Sequence, residues 1–334
     1  MAKRKLNKQQ TKRVSETRNK QVSTSAEHEK LGDPQDGLVI TNFGKRLLVE
    51  GQDGKLYNCT IRQHLGKLVA GDEVIWQTDI EEKSGIVTTL KPRRQELTRP
   101  GFRGQKRMVA ANIDILGIVA AVEPGIHPDM LDRYLVVAYQ LKLPVFIVIN
   151  KVDLVADDTH WQAIAELLVN YVEMDIDIYP VSAETDEGMD KLRALLADKN
   201  SVFVGQSGVG KSSLIQTLAP EVKIKVNELS QSTGLGKHTT TNSILYHLPE
   251  LEGQIGNIID SPGVRQFSPA PCGLHELEQA YQDFEPFLGK CKFNNCTHTI
   301  EPDCAILKAV EEGELSYDRY QSFQRLIREF KEQE

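Results

Sequence analysis

Apolar and polar positions change rhythm three times along this chain. Residues 1–35 carry too few apolar side chains to bury a core, and read as a disordered basic arm that either solvates the start of the chain or touches RNA. Residues 36–91 have the short alternation of strands, at 38–43, 46–50, 55–61, 74–78 and 85–90, with turn signals at Gly51, Asp53-Gly54 and Gly71-Asp72. Five such strands predict a small closed barrel. An OB-fold is the natural candidate, because it is five-stranded and commonly binds oligonucleotides; an SH3-like barrel would give much the same pattern. Tyr57 and Trp76 have the faces to stack on bases, yet aromatics in so small a barrel more often fill its core.

Beyond residue 108 the rhythm becomes that of an α/β domain. Residues 113–122 form a near-continuous apolar run, as expected of a strand covered on both faces. Helical periodicity follows at 131–141, 161–172 and 189–196, interleaved with buried strands at 145–149, 176–181 and 202–204. A further strand at 254–259 ends on Asp260. The alternation predicts a mostly parallel sheet with ligands at the carboxyl ends of its strands. A last apolar stripe, Tyr320, Phe323, Leu326, Ile327 and Phe330, lies on one helical face and reads as core.

The chemistry-bearing residues cluster at those strand ends. SVFVGQSGVGKSSLIQTLA runs from strand to helix through Gly205, Gln206, Ser207, Gly208, Val209, Gly210, Lys211, Ser212 and Ser213, and matches G-x-x-x-x-G-K-[ST] in its required context. Its glycines let successive N–H groups face phosphate oxygens. Lys211 is expected on the β- and γ-phosphates, and the Ser212 hydroxyl on Mg²⁺. Asn150, Lys151, Val152 and Asp153 follow the 145–149 strand. The Asp153 carboxylate can accept two hydrogen bonds from guanine, a pair of donors that adenine does not offer. Asn150 is expected on the other edge of the base and the Lys151 stem over its face. Ser182-Ala183 supplies a backbone N–H for the guanine oxygen. Asp260-Ser261-Pro262-Gly263 fits D-x-x-G, with the carboxylate positioning Mg²⁺ through water and the Gly263 N–H meeting the γ-phosphate. In the polar stretch 234–241, Thr240 is favoured to complete the Mg²⁺ shell, with Thr239 and Thr241 as alternatives.

These are the parts of a GTPase in an unusual order, base-reading elements first and phosphate-reading elements second. Circular permutation preserves a sheet while changing where the chain enters it. The position after D-x-x-G, where many GTPases carry Gln, holds Val264, so turnover by the chain alone is expected to be slow. His238 is the candidate to orient the attacking water. A metabolic P-loop kinase would share residues 205–212 but has no use for 150–153. A signalling GTPase acting on a protein would need neither barrel nor basic linker.

Composition refines this picture. The chain has 334 residues, a net charge of −7 and no apolar run of membrane-spanning length, and its basic, polar start is unlike a signal peptide; a cytoplasmic protein is expected. The acidic average hides a basic linker over 92–108, where Arg93, Arg94, Arg99, Arg103, Lys106 and Arg107 follow Lys91 with Glu96 the one acid among them. Three of the five cysteines crowd into Cys291-x4-Cys296-x-His298-x5-Cys304, a donor set for one closed, structural Zn²⁺ site. Cys59 and Cys272 read as bystanders.

The succession of barrel, permuted GTPase motifs and C-x4-C-x-H-x5-C resembles the RsgA (YjeQ) family of bacterial ribosome-assembly GTPases, from about residue 36 to the end. The resemblance implies an OB-fold over 36–91, a circularly permuted GTPase domain over 92–270 and a helical zinc-binding domain over 271–334. It also implies GTP as substrate, Mg²⁺ and one Zn²⁺ as cofactors, and a monomer acting on the small ribosomal subunit and its rRNA late in maturation. The subunit would stimulate an otherwise slow hydrolysis.

Overall fold

A computed structural model describes residues 31–44, 46–79, 84–100, 106–220, 243–260 and 269–333. The chain divides into two compact units, Met1–Leu68 with Asp72–Pro92, and Val69–Gly71 with Arg93–Glu334. The arm expected over 1–35 falls almost wholly outside the described residues, as do Arg103, His238, Thr240 and Gly263.

The first unit is a closed barrel of β1 (Gln35–Asn42), β2 (Arg46–Gly51), β3 (Leu56–Ile61), β4 (Glu73–Asp79) and β5 (Ser84–Leu90). The pairings β1–β2, β2–β3, β4–β5 and β1–β4 are antiparallel, and β3–β5 is parallel. The ring runs β1-β2-β3-β5-β4 and back to β1, the five-stranded OB order. Its core is Val39, Leu47, Val49, Cys59, Leu68, Val74, Trp76 and Val87. Trp76 is fully buried, so it fills the barrel and offers no face to a base. Two glycines make room for its ring. A Cβ on Gly37 would lie 2.7 Å from Trp76 Cδ1, and one on Gly85 2.7 Å from Cε3.

The second unit carries a sheet in the order β10-β9-β8-β11-β13-β12. Its strands are β8 (Ile115–Ala121), β9 (Val145–Asn150), β10 (Ile178–Pro180), β11 (Asn200–Val204), β12 (Ile244–His247) and β13 (Asn257–Asp260). All pairings are parallel except that of β12 with β13. Helices α1 (Pro128–Leu141), α2 (Asp158–Glu173), α3 (Met189–Leu196) and α4 (Lys211–Leu218) connect the strands. Every residue of β8 is buried, as its unbroken apolar run requires. From β8 the chain steps outward through β9 to β10, then returns to lay β11 on the opposite edge of β8. The order therefore reverses between β8 and β11, the kind of crevice where open α/β sheets bind ligands.

One feature departs from what the sequence predicts. The segment expected as a linker forms a ribbon of β6 (Glu96–Pro100) and β7 (Lys106–Ala111), paired antiparallel, with Leu97, Val109, Ala110 and Ala111 buried. Two of its arginines are paired with acids of the chain at the surface, Arg93 3.0 Å from Glu96 and Arg94 2.7 Å from Asp114. Helix α5 (Leu274–Ala280) gives way to a 3-10 turn at Gln282–Phe287 that contains Pro286, whose missing N–H cannot serve an α-helix.

Helix α5, α6 (Ala305–Glu311) and α7 (Tyr317–Gln333) share a core with α1, in which Val136 of α1 meets Leu277, Tyr281, Phe284 and Phe323. At this junction Arg319 of α7 is 2 % exposed. It forks onto Asp283 at 2.6 and 2.9 Å, bonds Asp132 of α1, and lies 4.5 Å over the Tyr281 ring. The Tyr171 hydroxyl of α2 donates to the same Asp132 at 2.8 Å. Burial alone would lower the Arg319 pKa, but the two carboxylates hold it above its ordinary value. Towards the helix ends, Arg133 pairs with Glu329 and Arg325 with Asp129.

Candidate functional site

The phosphate loop leaves β11 with three glycines at positive φ, Gly205 at 148°, Gly208 at 90° and Gly210 at 86°. At two of them a side chain has no room. A Cβ on Gly205 would stand 2.2 Å from the Val119 carbonyl oxygen of β8, and one on Gly210 2.3 Å from Asn150 Nδ2. The loop is thus pressed between β8 and β9 and delivers its backbone to the N-terminus of α4. Val209 is buried and anchors it from below. The Lys211 ammonium donates to the carbonyls of Gly205, at 2.7 Å, and Gln206.

An open cleft of about 290 Å³ lies over this loop, lined by Lys151, Ser207, Gly208, Gly210, Lys211, Ser212, Ser213 and Asp260, with Phe203 at its base. Asp260 reaches it from the end of β13, whose register pairs it with Ile244. Gln206 lines a second cleft, of about 310 Å³, together with His127, Asp129, Arg133 and Arg325.

The residues expected to read the base form a hydrogen-bonded chain beside the loop. Ser182 Oγ donates to Asp153 Oδ1 at 2.5 Å and accepts from the N–H groups of Glu184 and Thr185 at 3.2 and 3.1 Å. This orients the Asp153 carboxylate and leaves Oδ2 for a ligand. Asn150 does something the sequence did not disclose. It is 1 % exposed; its Nδ2 donates to the Val209 carbonyl at 2.9 Å, and its Oδ1 accepts from the Ala183 N–H at 3.2 Å. The side chain expected on the base edge ties the phosphate loop to the Ser182-Ala183 turn, where the Ala183 N–H donates to Asn150. Lys151 adopts a left-handed backbone, φ 63°, which carries its side chain to the cleft, while Val152 is buried. Thr217 of α4, which no motif signalled, donates to the Ala183 carbonyl at 3.1 Å.

The second site is the Cys/His cluster. The ligand atoms of Cys291, Cys296, His298 and Cys304 all lie within 4.8 Å of one another. Cys291 and Cys304 sulfurs are 3.8 Å apart, and His298 Nδ1 is 3.3 and 3.6 Å from the Cys304 and Cys291 sulfurs. Bonds of about 2.3 Å to sulfur and about 2.0 Å to nitrogen around a tetrahedral zinc imply edges near these lengths, so the residues fit the ion. The donor chemistry agrees. Burial pushes the Cys296 thiol up to about 12. Burial also opposes ionisation of Cys304, but the Leu307 N–H and the His298 ring bring it below its ordinary value. A divalent cation is what allows all three sulfurs to be thiolates together. Cys59 is buried in the barrel and, like Cys272, stands apart from this cluster.

Glu301 organises the loop around His298. Its two oxygens accept from the backbone N–H groups of Thr297, Thr299 and Ile300 at 2.8, 2.9 and 3.1 Å. These bonds, led by that from the Thr297 hydroxyl, hold the Glu301 carboxyl far below the usual range.

Comparison with known proteins bears on both sites. The RsgA GTPase family model matches residues 90–270. The small ribosomal subunit biogenesis GTPase RsgA of Haemophilus influenzae (strain PittGG) is 41% identical, covering 99% of this chain and 97% of its own length. The protein of the same description from Mannheimia succiniciproducens is 41% identical, with coverages of 98% and 95%. Among solved structures, YjeQ from Thermotoga maritima superposes with a TM-score of 0.70 at 29% identity, covering 89% of this chain and 99% of that one. YloQ, described as a circularly permuted GTPase, gives 0.69 at 27% identity, with coverages of 90% and 96%.

Proposed function

The chain belongs to the RsgA GTPase family, and on that premise we propose that it hydrolyses GTP on the small ribosomal subunit, assisting late maturation of that subunit. Backbone amides from Ser207 to Ser213 receive the phosphates at the start of α4, and Lys211 exchanges its loop carbonyls for the β- and γ-phosphates. Ser212, Thr240 and, through water, Asp260 hold Mg²⁺. When bound, that ion neutralises charge on the β- and γ-oxygens. Asp153, aligned by Ser182, accepts the two guanine donors beneath the Lys151 stem. The Gly263 N–H meets the γ-phosphate, and His238 orients the water that attacks it. The four residues Cys291, Cys296, His298 and Cys304 hold one structural Zn²⁺. The protein works as a cytoplasmic monomer, with the barrel and the Arg107 end of the ribbon towards rRNA; among the described residues no helix is long and apolar enough to cross a membrane.

The observation that carries this reading is the joint at Asn150, which ties the phosphate loop to the Ser182-Ala183 turn whose Ser182 hydroxyl holds Asp153. The relatives' names favour the subunit over the protein partner of a signalling GTPase. The test is GTP and ATP turnover by the full chain, alone and with purified small subunits. GTP alone should be hydrolysed, slowly at first and faster with subunits; His238→Ala should keep GTP binding and lose the stimulation. Equal use of ATP would overturn the guanine site, and turnover indifferent to subunits would overturn the partner.

A further inference from the structure

His298 is gripped from three sides, and two of the grips come from outside its own loop. Its backbone sits in the left-handed region at φ 56°, and its carbonyl accepts from the Tyr320 hydroxyl at 2.8 Å and Gln324 Nε2 at 2.9 Å, both on α7. Its ring presents Nδ1 to the sulfurs, while Nε2 lies 2.9 Å from Glu278 Oε1 on α5. Turned by 180°, the same ring would offer Cδ2 to the sulfurs and Cε1 to the carboxylate, losing both partners. A metal at the sulfurs takes the lone pair of a neutral imidazole, so the proton of that imidazole must sit on the other nitrogen. The group waiting for that proton is a carboxylate, the strongest acceptor a side chain provides.

We propose that Glu278 is a positioning residue of the metal centre. It accepts the Nε2–H of His298, fixes the tautomer that ligates through Nδ1, and makes α5 part of the metal site. The proposal rests on the zinc reading of the cluster given above. The surroundings of Glu278 suit this role. Its side chain is largely buried, and among the described residues its other oxygen faces only His275 Nδ1, 3.4 Å away at the surface. Helix α5 in turn packs on α1, with Gln279 Oε1 accepting from the Tyr139 hydroxyl at 2.9 Å. The metal, through His298 and Glu278, thereby fastens a helix that lies against the GTPase sheet's own first helix.

Carboxylates behind a ligating histidine raise its basicity, and losing one costs about 10- to 100-fold in metal affinity. The experiment measures zinc content of the purified full chain, then the rate of zinc transfer to a chromogenic chelator, for the native protein, Glu278→Gln and Glu278→Ala. The Gln variant keeps an acceptor oxygen without the charge; the Ala variant keeps neither. Zinc loss should quicken by about 10- to 100-fold in Glu278→Ala and by less in Glu278→Gln. Long-range ¹H–¹⁵N spectra of the native protein should show His298 metallated at Nδ1 and protonated at Nε2, a signature that simple loosening of α5 would not produce. If Glu278→Ala folds poorly, the native tautomer and the Gln variant decide the matter. Equal zinc-transfer rates in all three proteins, or ligation through Nε2, overturns the proposal. A native protein without zinc overturns instead the reading it rests on.

Discussion

The cleft over the phosphate loop and the Cys/His cluster are built of opposite materials. The cleft is made mostly of backbone. Its glycines are squeezed against Val119 and Asn150, and the Lys211 ammonium rests on main-chain carbonyls that a phosphate can replace. The cluster is made of side chains, and other groups back its ligands: Cys291 Sγ accepts the Ala305 N–H at 3.3 Å, and His298 leans on Glu278, Tyr320 and Gln324. Open backbone suits a ligand that must arrive, react and leave. Closed side-chain coordination suits one that stays. The C-terminal helices extend the second strategy to the junction with α1, where Arg319 is satisfied on every side.

The sharpest break of this comparison is at Asp153, the side chain proposed to select guanine. Asp153→Asn should reverse the preference for GTP over xanthosine triphosphate by roughly 10⁴-fold, because the site would then present a donor where guanine offers one. Competitive binding of the two nucleotides measures it, and zinc content should not change. An unaltered preference would remove Asp153 from base recognition.

A change in the other region should spare selectivity and cost stability. Arg319→Met leaves Asp132 and Asp283 facing each other without a cation, and should destabilise the second unit by about 3–5 kcal/mol in denaturant unfolding. A loss below about 1 kcal/mol would mean that packing around Val136 and Phe323, and not the buried charge, holds the junction.

The smallest effect concerns acid. Because the folded-state pKa of Glu301 is depressed, its contribution is complete above the ordinary glutamate value and fades as pH falls below that value towards the folded one. Zinc retention by Glu301→Gln should therefore differ most from native near neutrality and converge with it in acid. A difference that grew on acidification would contradict the role of the carboxylate.

Much of the molecule was legible because its signals are local. The phosphate loop announces itself within one strand–loop–helix, the buried run of β8 needs no partner to be recognised, and the stripe from Phe323 to Phe330 is core as its spacing implied. What escaped depends on distance or on disguise. Asp132 and Arg319 are 187 residues apart, and Glu278 precedes His298 by 20, so neither pairing leaves a periodic trace. The β6–β7 ribbon was hidden by its charge: Arg99, Lys106 and Arg107 outweigh the few apolar positions that mark it as a strand pair. Asn150 was legible as a functional residue, but its work on Val209 and Ala183 is visible only where three loops meet.

The place of β8 in the middle of its sheet sets a timetable for a chain growing from its N-terminus. Strands β8 to β10 and helices α1 to α3 are complete before β11 exists, so one edge of the most apolar strand stays open while the chain grows from Ala121 to Asn200. At about 5–20 residues per second, those roughly 80 residues take about 4–16 s. For that interval Asn150, Asp153 and Ser182 are made and the phosphate loop is not, and the nascent chain carries a hydrophobic strand edge that its own later sequence covers.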